Sequence, residues 1–196
     1  QAVESALPAQ TTPAALEPIF GRGLARQGFF AVSGGDMDAG LAALHQALAI
    51  ARCHQRPADM AFCLTFLGEF EGWRGNFDSA RQLLTESIQI NESIGDRLGG
   101  GFALYRLGEL THTLGDFAQA RAIFQQCVAS SRQIGSRDAL GYALDQLGYC
   151  DVLVGDLDGA EAAYRESLTC FTEMGNELGM ALAATGLGIT AWARGG

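Results

Sequence analysis

The sequence predicts an all-α fold: a solenoid of antiparallel helix pairs, four pairs plus one extra helix. Three observations carry this. A glycine recurs every 40 residues, at Gly28, Gly68, Gly108, Gly148 and Gly188, without slippage. A second glycine recurs at Gly35, Gly75, Gly115 and Gly155, each followed by an acidic or amide residue. No proline occurs after Pro57, as a mostly helical chain requires. A regular period of this size marks a stacked-repeat architecture, whose buried seam grows with each repeat.

The elements follow in order. Residues 1–12 lack periodicity and read as a linker. The repeat domain spans 13–196, with units at about 13–56, 57–96, 97–136 and 137–176 and a partial unit at 177–196. Either Thr12 caps the first helix, with Pro13 at its first position, or Pro18 marks the start. Each unit then splits into two amphipathic helices, predicted at 14–33/37–54, 59–74/77–94, 98–114/117–134 and 138–154/157–174. A lone helix follows at about 178–194. In the third unit Phe102, Leu104, Leu107 and Leu110 keep near-helical spacing. Gly115 supplies a left-handed stop and Asp116 the next cap. Ile134-Gly135 closes the unit, as Ile94-Gly95 and Met174-Gly175 close their own. Unit one departs, with Cys53 to Pro57 in place of the glycine stop.

A mid-helix glycine costs about 1 kcal/mol relative to alanine, so five in fixed phase need a reason. Close approach of the paired helix supplies one. The small residue twelve positions later, at Gly40, Ala80, Ala120 and Ala160, is expected to meet the glycine. Arg81, Arg121 and Glu161, which follow that alanine, are expected on the outer face.

The combination Leu107-Gly108, Gly115-Asp116-Phe117, Ala120 and Phe124 resembles the tetratricopeptide repeat. So do Leu67-Gly68, Gly75, Phe77, Ala80 and Leu84, and Leu147-Gly148, Gly155, Leu157, Ala160 and Tyr164; Leu187-Gly188 begins a fifth copy. Unit one is weaker, with Gln27 for the leucine and Gly40 for the alanine. The period exceeds the usual 34 residues, and glycine replaces the closing proline. The resemblance implies a right-handed solenoid whose first helices line a concave groove. In its 40-residue form it is similar to the C-terminal sensor arrays of bacterial STAND ATPases and LuxR- or MalT-like regulators.

Composition narrows the function. Net charge is −9 and all 13 basic residues are arginine, which argues against a nucleic-acid surface. Without lysine there is neither a P-loop lysine nor a Schiff base. The five cysteines form no C-x-x-C pair and read as small buried hydrophobes of a reducing cytosol. No secretion signal or spanning segment is present, so a cytoplasmic location and no membrane partner are expected. The chain reads as an excised segment. No catalytic motif occurs, so no enzyme activity and no cofactor are expected. The three histidines (45, 54 and 112) lie apart, and no metal site is expected. Gly99-Gly100-Gly101 reads as a flexible helix start rather than a phosphate loop.

Counting by helical phase from the repeat glycine places candidate groove residues six and three before it, and one and four after it. The ligand-binding set is Thr65, Glu69, Tyr105, Glu109, His112, Tyr142, Asp145 and Tyr149. Phe62, Gly72, Trp73, Phe102, Val152, Leu182, Thr185, Ile189 and Trp192 complete the face. Aromatic anchors beside convergent polar groups suit recognition of a protein, peptide or small molecule. The acids favour a partner with basic or hydrogen-bond-donor groups. The alternative for Phe62, Phe102 and Tyr142 is a place in the seam, and for the acids plain solvation. A second function class is a structural spacer or oligomerisation array without a dedicated ligand. The extra helix lacks a covering partner, which predicts self-association through Leu187, Ile189 and Trp192.

Overall fold

The computed structural model describes residues 17–195. Nine helices and no strand occur among them: α1 (Glu17–Ser33), α2 (Met37–Cys53), α3 (Pro57–Trp73), α4 (Phe77–Ile94), α5 (Arg97–Thr113), α6 (Phe117–Ile134), α7 (Arg137–Val154), α8 (Leu157–Met174) and α9 (Glu177–Gly195). The predicted ends agree to within about two residues from α2 onward. The proposed linker and the Thr12 cap lie outside the described residues.

The turns follow from local chemistry. Asp36, Asp116 and Asp156 accept from the backbone N–H three residues on, at 3.0–3.1 Å, and so satisfy an orphan donor of the next helix. Asp96 and Asn176 do the same at the unit boundaries. Gly135 ends α6 at φ +75°, which glycine adopts without penalty. Its counterpart in unit one is Gln55, at φ +50°. The atypical Cys53–Pro57 turn therefore makes the same left-handed stop without a glycine.

Consecutive helices pack against each other throughout. Beyond that, α1 meets α3, α3 meets α5, α5 meets α7 and α7 meets α9, whereas the even-numbered helices stand further apart and are bridged by long side chains, Arg52 to Glu86 between α2 and α4 and Arg132 to Glu166 between α6 and α8. The odd helices thus form the inner, concave layer and the even ones splay outside. The buried seam between the layers holds Leu44, Leu64, Leu67, Leu84 and Phe124, together with Phe70 and Phe171.

The repeat glycine shapes this seam. A Cβ at Gly68 would stand 2.7 Å from Leu84 Cγ, and one at Gly108 2.7 Å from the Phe124 ring. At Gly148 it would stand 3.0 Å from the Tyr164 ring. In the first two units the residue twelve positions on does meet the glycine, through the carbonyls of Gly40 and Ala80. In all four units the side chain sixteen positions on also meets the glycine, and in units three and four the nearest atoms are those of its ring, Phe124 and Tyr164. Gly188 has open space around it. In α9 the slots are Gly179 and Gly186, which receive Phe171 and Tyr164 of α8.

Arg121 does not lie on the outer face. Its guanidinium pairs with Asp151, which is 3 % exposed, and with Asp156, tying α6 to the C-terminal end of α7. Cys53 is exposed, unlike the other four cysteines, which are buried. No described helix is long and apolar enough to cross a membrane.

Candidate functional site

The concave face is built from the odd helices. Glu69, Glu109 and Tyr149 each follow a repeat glycine, about 100° round the helix from it. When the glycine is held in the seam, its neighbour is turned into the groove. Three cavities result.

One cavity of about 500 Å³ lies between α3 and α5 and is lined by Glu69, Gly72, Trp73, Arg106 and Glu109. A second, about 420 Å³, lies among α5, α7 and α9 and shares Glu109 and Thr113 with the first. His112, Asp145, Gln146, Tyr149, Tyr164, Leu182, Thr185 and Ile189 complete it. A third, about 470 Å³, sits nearer the N-terminal ends of α5 and α7 and extends to the outer layer, with Phe102, Tyr105, Arg106 and Tyr142 on one side and Cys127, Ser130, Ser131 and Ile134 of α6 on the other.

Seven of the eight expected site residues therefore line these cavities. Thr65 does not. It is 3 % exposed, and its hydroxyl lies 2.7 Å from Ser87 Oγ and donates to the Ala61 carbonyl at 2.9 Å. A short β-branched side chain reaches only the seam there, and the Phe66 ring fills the interval between α3 and α5, 5.7 Å from Phe102. Tyr105 and Tyr142 have a foot in each layer. Their rings meet Phe124 at 5.6 Å and Phe171 at 4.9 Å, both edge-on, and Tyr142 Oη accepts from Asn176 Nδ2 at 3.2 Å. Phe62 and Phe102 are partly exposed on the groove side. Val152 and Trp192 line none of these cavities, whereas Trp73 is 64 % exposed at the rim of the first.

Arg106, expected from the sequence only as a cation near the groove and not as one of the ligand-binding set, is the centre of the site. Its Nη2 meets Glu69 Oε1 at 3.2 Å and its Nη1 donates to Glu109 Oε2 at 2.7 Å. The guanidinium stacks over Phe102 at 4.8 Å. Position 106 lies two before the glycine, about 40° beyond the stripe counted from periodicity, and a long side chain closes that angle. Tyr164 was also missed. It comes from the outer layer and reaches the groove floor between Gly148 and Gly186, which have no side chains to stop it.

Electrostatics set this region apart. Burial pushes the Glu69 carboxyl up to about 7; Arg106 offsets part of this, and Glu109 adds to it. The salt bridge to Arg106 is real, yet desolvation outweighs it, since the Glu69 side chain is only 7 % exposed. Burial alone raises Asp145 to about 6. Burial also lowers His112, against a smaller opposing pull from Glu109. It raises Tyr105 as well, with Glu109 as the second cause.

Four buried side-chain polar atoms among the described residues have no hydrogen-bond partner: Glu69 Oε2, Arg106 Nε, His112 Nε2 and Asp145 Oδ1. All four residues line the two adjoining cavities. Such groups are rare in folded proteins and costly, about 1–3 kcal/mol each. Their concentration on one face gives a surface suited to accepting and donating hydrogen bonds. No group of three or more metal-ligating side chains assembles among the described residues.

Comparison with known proteins agrees with this architecture. Residues 59–133 match the tetratricopeptide repeat profile. No curated protein matches the chain in sequence. The fold is similar to aspartyl phosphate phosphatase F from Bacillus subtilis, with a TM-score of 0.83 at 12% identity over 91% of this chain and 48% of that one. A Rap protein solved in complex with Competence and Sporulation Factor gives 0.80 at 15% identity, over 85% and 46%. The chain thus spans about half the length of either protein. A putative kinesin light chain from Podospora anserina, with nearly identical TPR-like repeats, gives 0.75 at 14% identity over 91% and 88%.

Proposed function

We propose, for a chain whose residues 59–133 are tetratricopeptide repeats and whose described helices stack in that fold, that it is a non-catalytic recognition module with its ligand in the concave groove. The observation that carries this is the gathering of unpartnered buried polar atoms around two adjoining cavities. A fold that tolerates that cost on one face only has a reason to keep it, and a ligand's complementary groups supply one. A protein or peptide segment suits an open groove shared by three or more helices. The neighbour solved with Competence and Sporulation Factor supports the reading by analogy. The 40-residue unit's resemblance to sensor arrays supports placing the module in a larger bacterial signalling protein, inside the cell.

A second reading, an array that spaces or joins its neighbours, draws on α9, where Trp192 is 81 % exposed. One experiment separates the two. The variant Tyr105→Phe, Glu109→Gln, Asp145→Asn keeps the shape of the groove and removes its polar function. In the intact protein it should fold normally and lose its response to the native activator. A folded variant that responds as before would transfer the role to the spacer reading.

A further inference from the structure

The interval between α3 and α5 holds a cation that the chain itself provides. Arg106 lies between two carboxylates, Glu69 and Glu109, with its guanidinium over the Phe102 ring. One interval further, between α5 and α7, the cavity again has two carboxylates, Glu109 in the phase of Glu69 and Asp145 in the phase of Tyr105, with Tyr149 in the phase of Glu109, but Gln146 stands where the repeat has Arg106. No basic side chain other than His112 lines that cavity of about 420 Å³, and burial lowers His112's hold on a proton. Asp145 Oδ1 is buried there without a partner. The walls are aromatic: Tyr149, Tyr164 and His112, the last lying 5.1 Å from the Tyr149 ring.

We propose that the α5–α7–α9 cavity seats a guanidinium group supplied by the ligand, much as the α3–α5 interval seats Arg106. This rests on the reading of the groove as the binding surface. A guanidinium is planar, weakly hydrated and able both to fork onto carboxylates and to stack on rings, which is the combination of groups present. An anion would face two carboxylates, and Arg106, which pairs with Glu109, does not line the cavity. A divalent metal ion would find too few ligands, since no group of three assembles among the described residues. The guanidinium belongs either to an arginine in an extended peptide or to a free alkylguanidine; both present the same head group.

The test uses the chain as it stands, uniformly ¹⁵N-labelled, with three probes: the capped peptide Ala-Ala-Arg-Ala-Ala, its citrulline counterpart, which is isosteric and uncharged, and agmatine. The arginine peptide should shift the amides of Glu109, His112, Asp145 and Thr185 saturably, and the citrulline peptide should bind at least tenfold more weakly. Asp145→Asn should lose at least tenfold in affinity with its spectrum otherwise retained. Agmatine binding as tightly as the peptide would make the ligand a small guanidine; weak agmatine binding would make it a peptide arginine. A ligand-independent arm is Gln146→Arg, which puts a guanidinium in the phase of Arg106, facing Glu109 and next to Asp145. It should abolish probe binding and bring the Asp145 carboxyl below its present value of about 6. Equal binding of arginine and citrulline peptides, no binding of any probe, or an unaltered Asp145 titration in Gln146→Arg would each overturn the proposal. Loss of response in the triple variant above would still leave the groove reading standing, so the two failures are distinguishable.

Discussion

Gly108 and Glu109 are neighbours in sequence and stand on opposite sides of the molecule's logic. Gly108 faces the seam, where Phe124 is fully buried and a Cβ would be 2.7 Å from its ring. Glu109 faces the groove, where the polar atoms of Glu69, Arg106, His112 and Asp145 are left without partners. In the seam even the buried hydroxyls are satisfied: Ser87 donates to the Ala61 carbonyl at 2.8 Å and Ser167 to the Gly141 carbonyl at 2.9 Å. In α3, α5 and α7 one face is packed to close the fold, and the other carries the polar atoms left without partners. The close-packed seam and the polar atoms left without partners thus lie about 100° apart on a single helix.

The sharpest way to break that division is to overfill the seam. Gly108→Leu should cost ~3 kcal/mol or more, because the ring of Phe124 and the methyls of Ile123 have no room to retreat. Thermal unfolding checks it, and an unchanged Tm would show that the seam is not tightly packed. On the groove side the expectation has the opposite sign. The folded-state pKa values of Glu69 (about 7) and Asp145 (about 6) lie above their ordinary values of 4.5 and 3.8. Below about pH 3 both groups are largely protonated in the folded and unfolded chain alike. Between there and pH 7 the folded chain holds protons that the unfolded chain has released, so these groups make stability fall as pH rises through that window. The loss should be on the order of 2 kcal/mol per group. Glu69→Gln and Asp145→Asn should flatten the decline in denaturation curves measured from pH 4 to 8, and an unflattened curve would remove the groove carboxylates as its cause.

A smaller effect tests whether the glycine slot depends on its occupant. Gly188 keeps the repeat phase but has nothing within 4 Å. Gly188→Ala should therefore gain up to about 1 kcal/mol from helix propensity, whereas Gly148→Ala, facing the Tyr164 ring at 3.0 Å, should lose stability. Equal Tm changes in the two variants would mean that phase, not packing, sets the cost. The weakest effect concerns α9, where Ile189 and Trp192 are exposed as expected, Leu178 with them, while Leu187 is half-buried rather than exposed. Light scattering should show mass rising with concentration, and Trp192→Glu should reduce that rise. A constant mass in the native chain would count against contact through this end.

Much of the fold was legible because its signals are local. A glycine that must turn left-handed, an aspartate that must cap and a hydrophobic stripe with helical period act within a few residues, and they placed the helix ends closely. The glycine phase likewise pointed to close approach at Gly28, Gly68, Gly108 and Gly148. The site was less legible. Thr65, on the same phase as Tyr105 and Asp145, turned into the seam because its side chain is short. Arg106, outside the counted stripe, entered the groove because its side chain is long. Arg121 left the outer face because a buried Asp151 lies within its reach on the next unit.

By itself the 40-residue period determined the helix pairs and their turns, since these depend on contacts repeated along the chain, while the inward place of the first helix of each pair followed from the resemblance to the tetratricopeptide repeat. Tertiary packing alone decided the rest: that Tyr164 crosses between Gly148 and Gly186 to floor a cavity, that Gly186 rather than Gly188 is the slot in α9, and that Arg106 is shared by carboxylates of two helices. These arrangements depend on the length of one side chain and the absence of another on a different helix. A period records where a residue sits on its own helix, and it holds no information about what reaches that residue from across the gap.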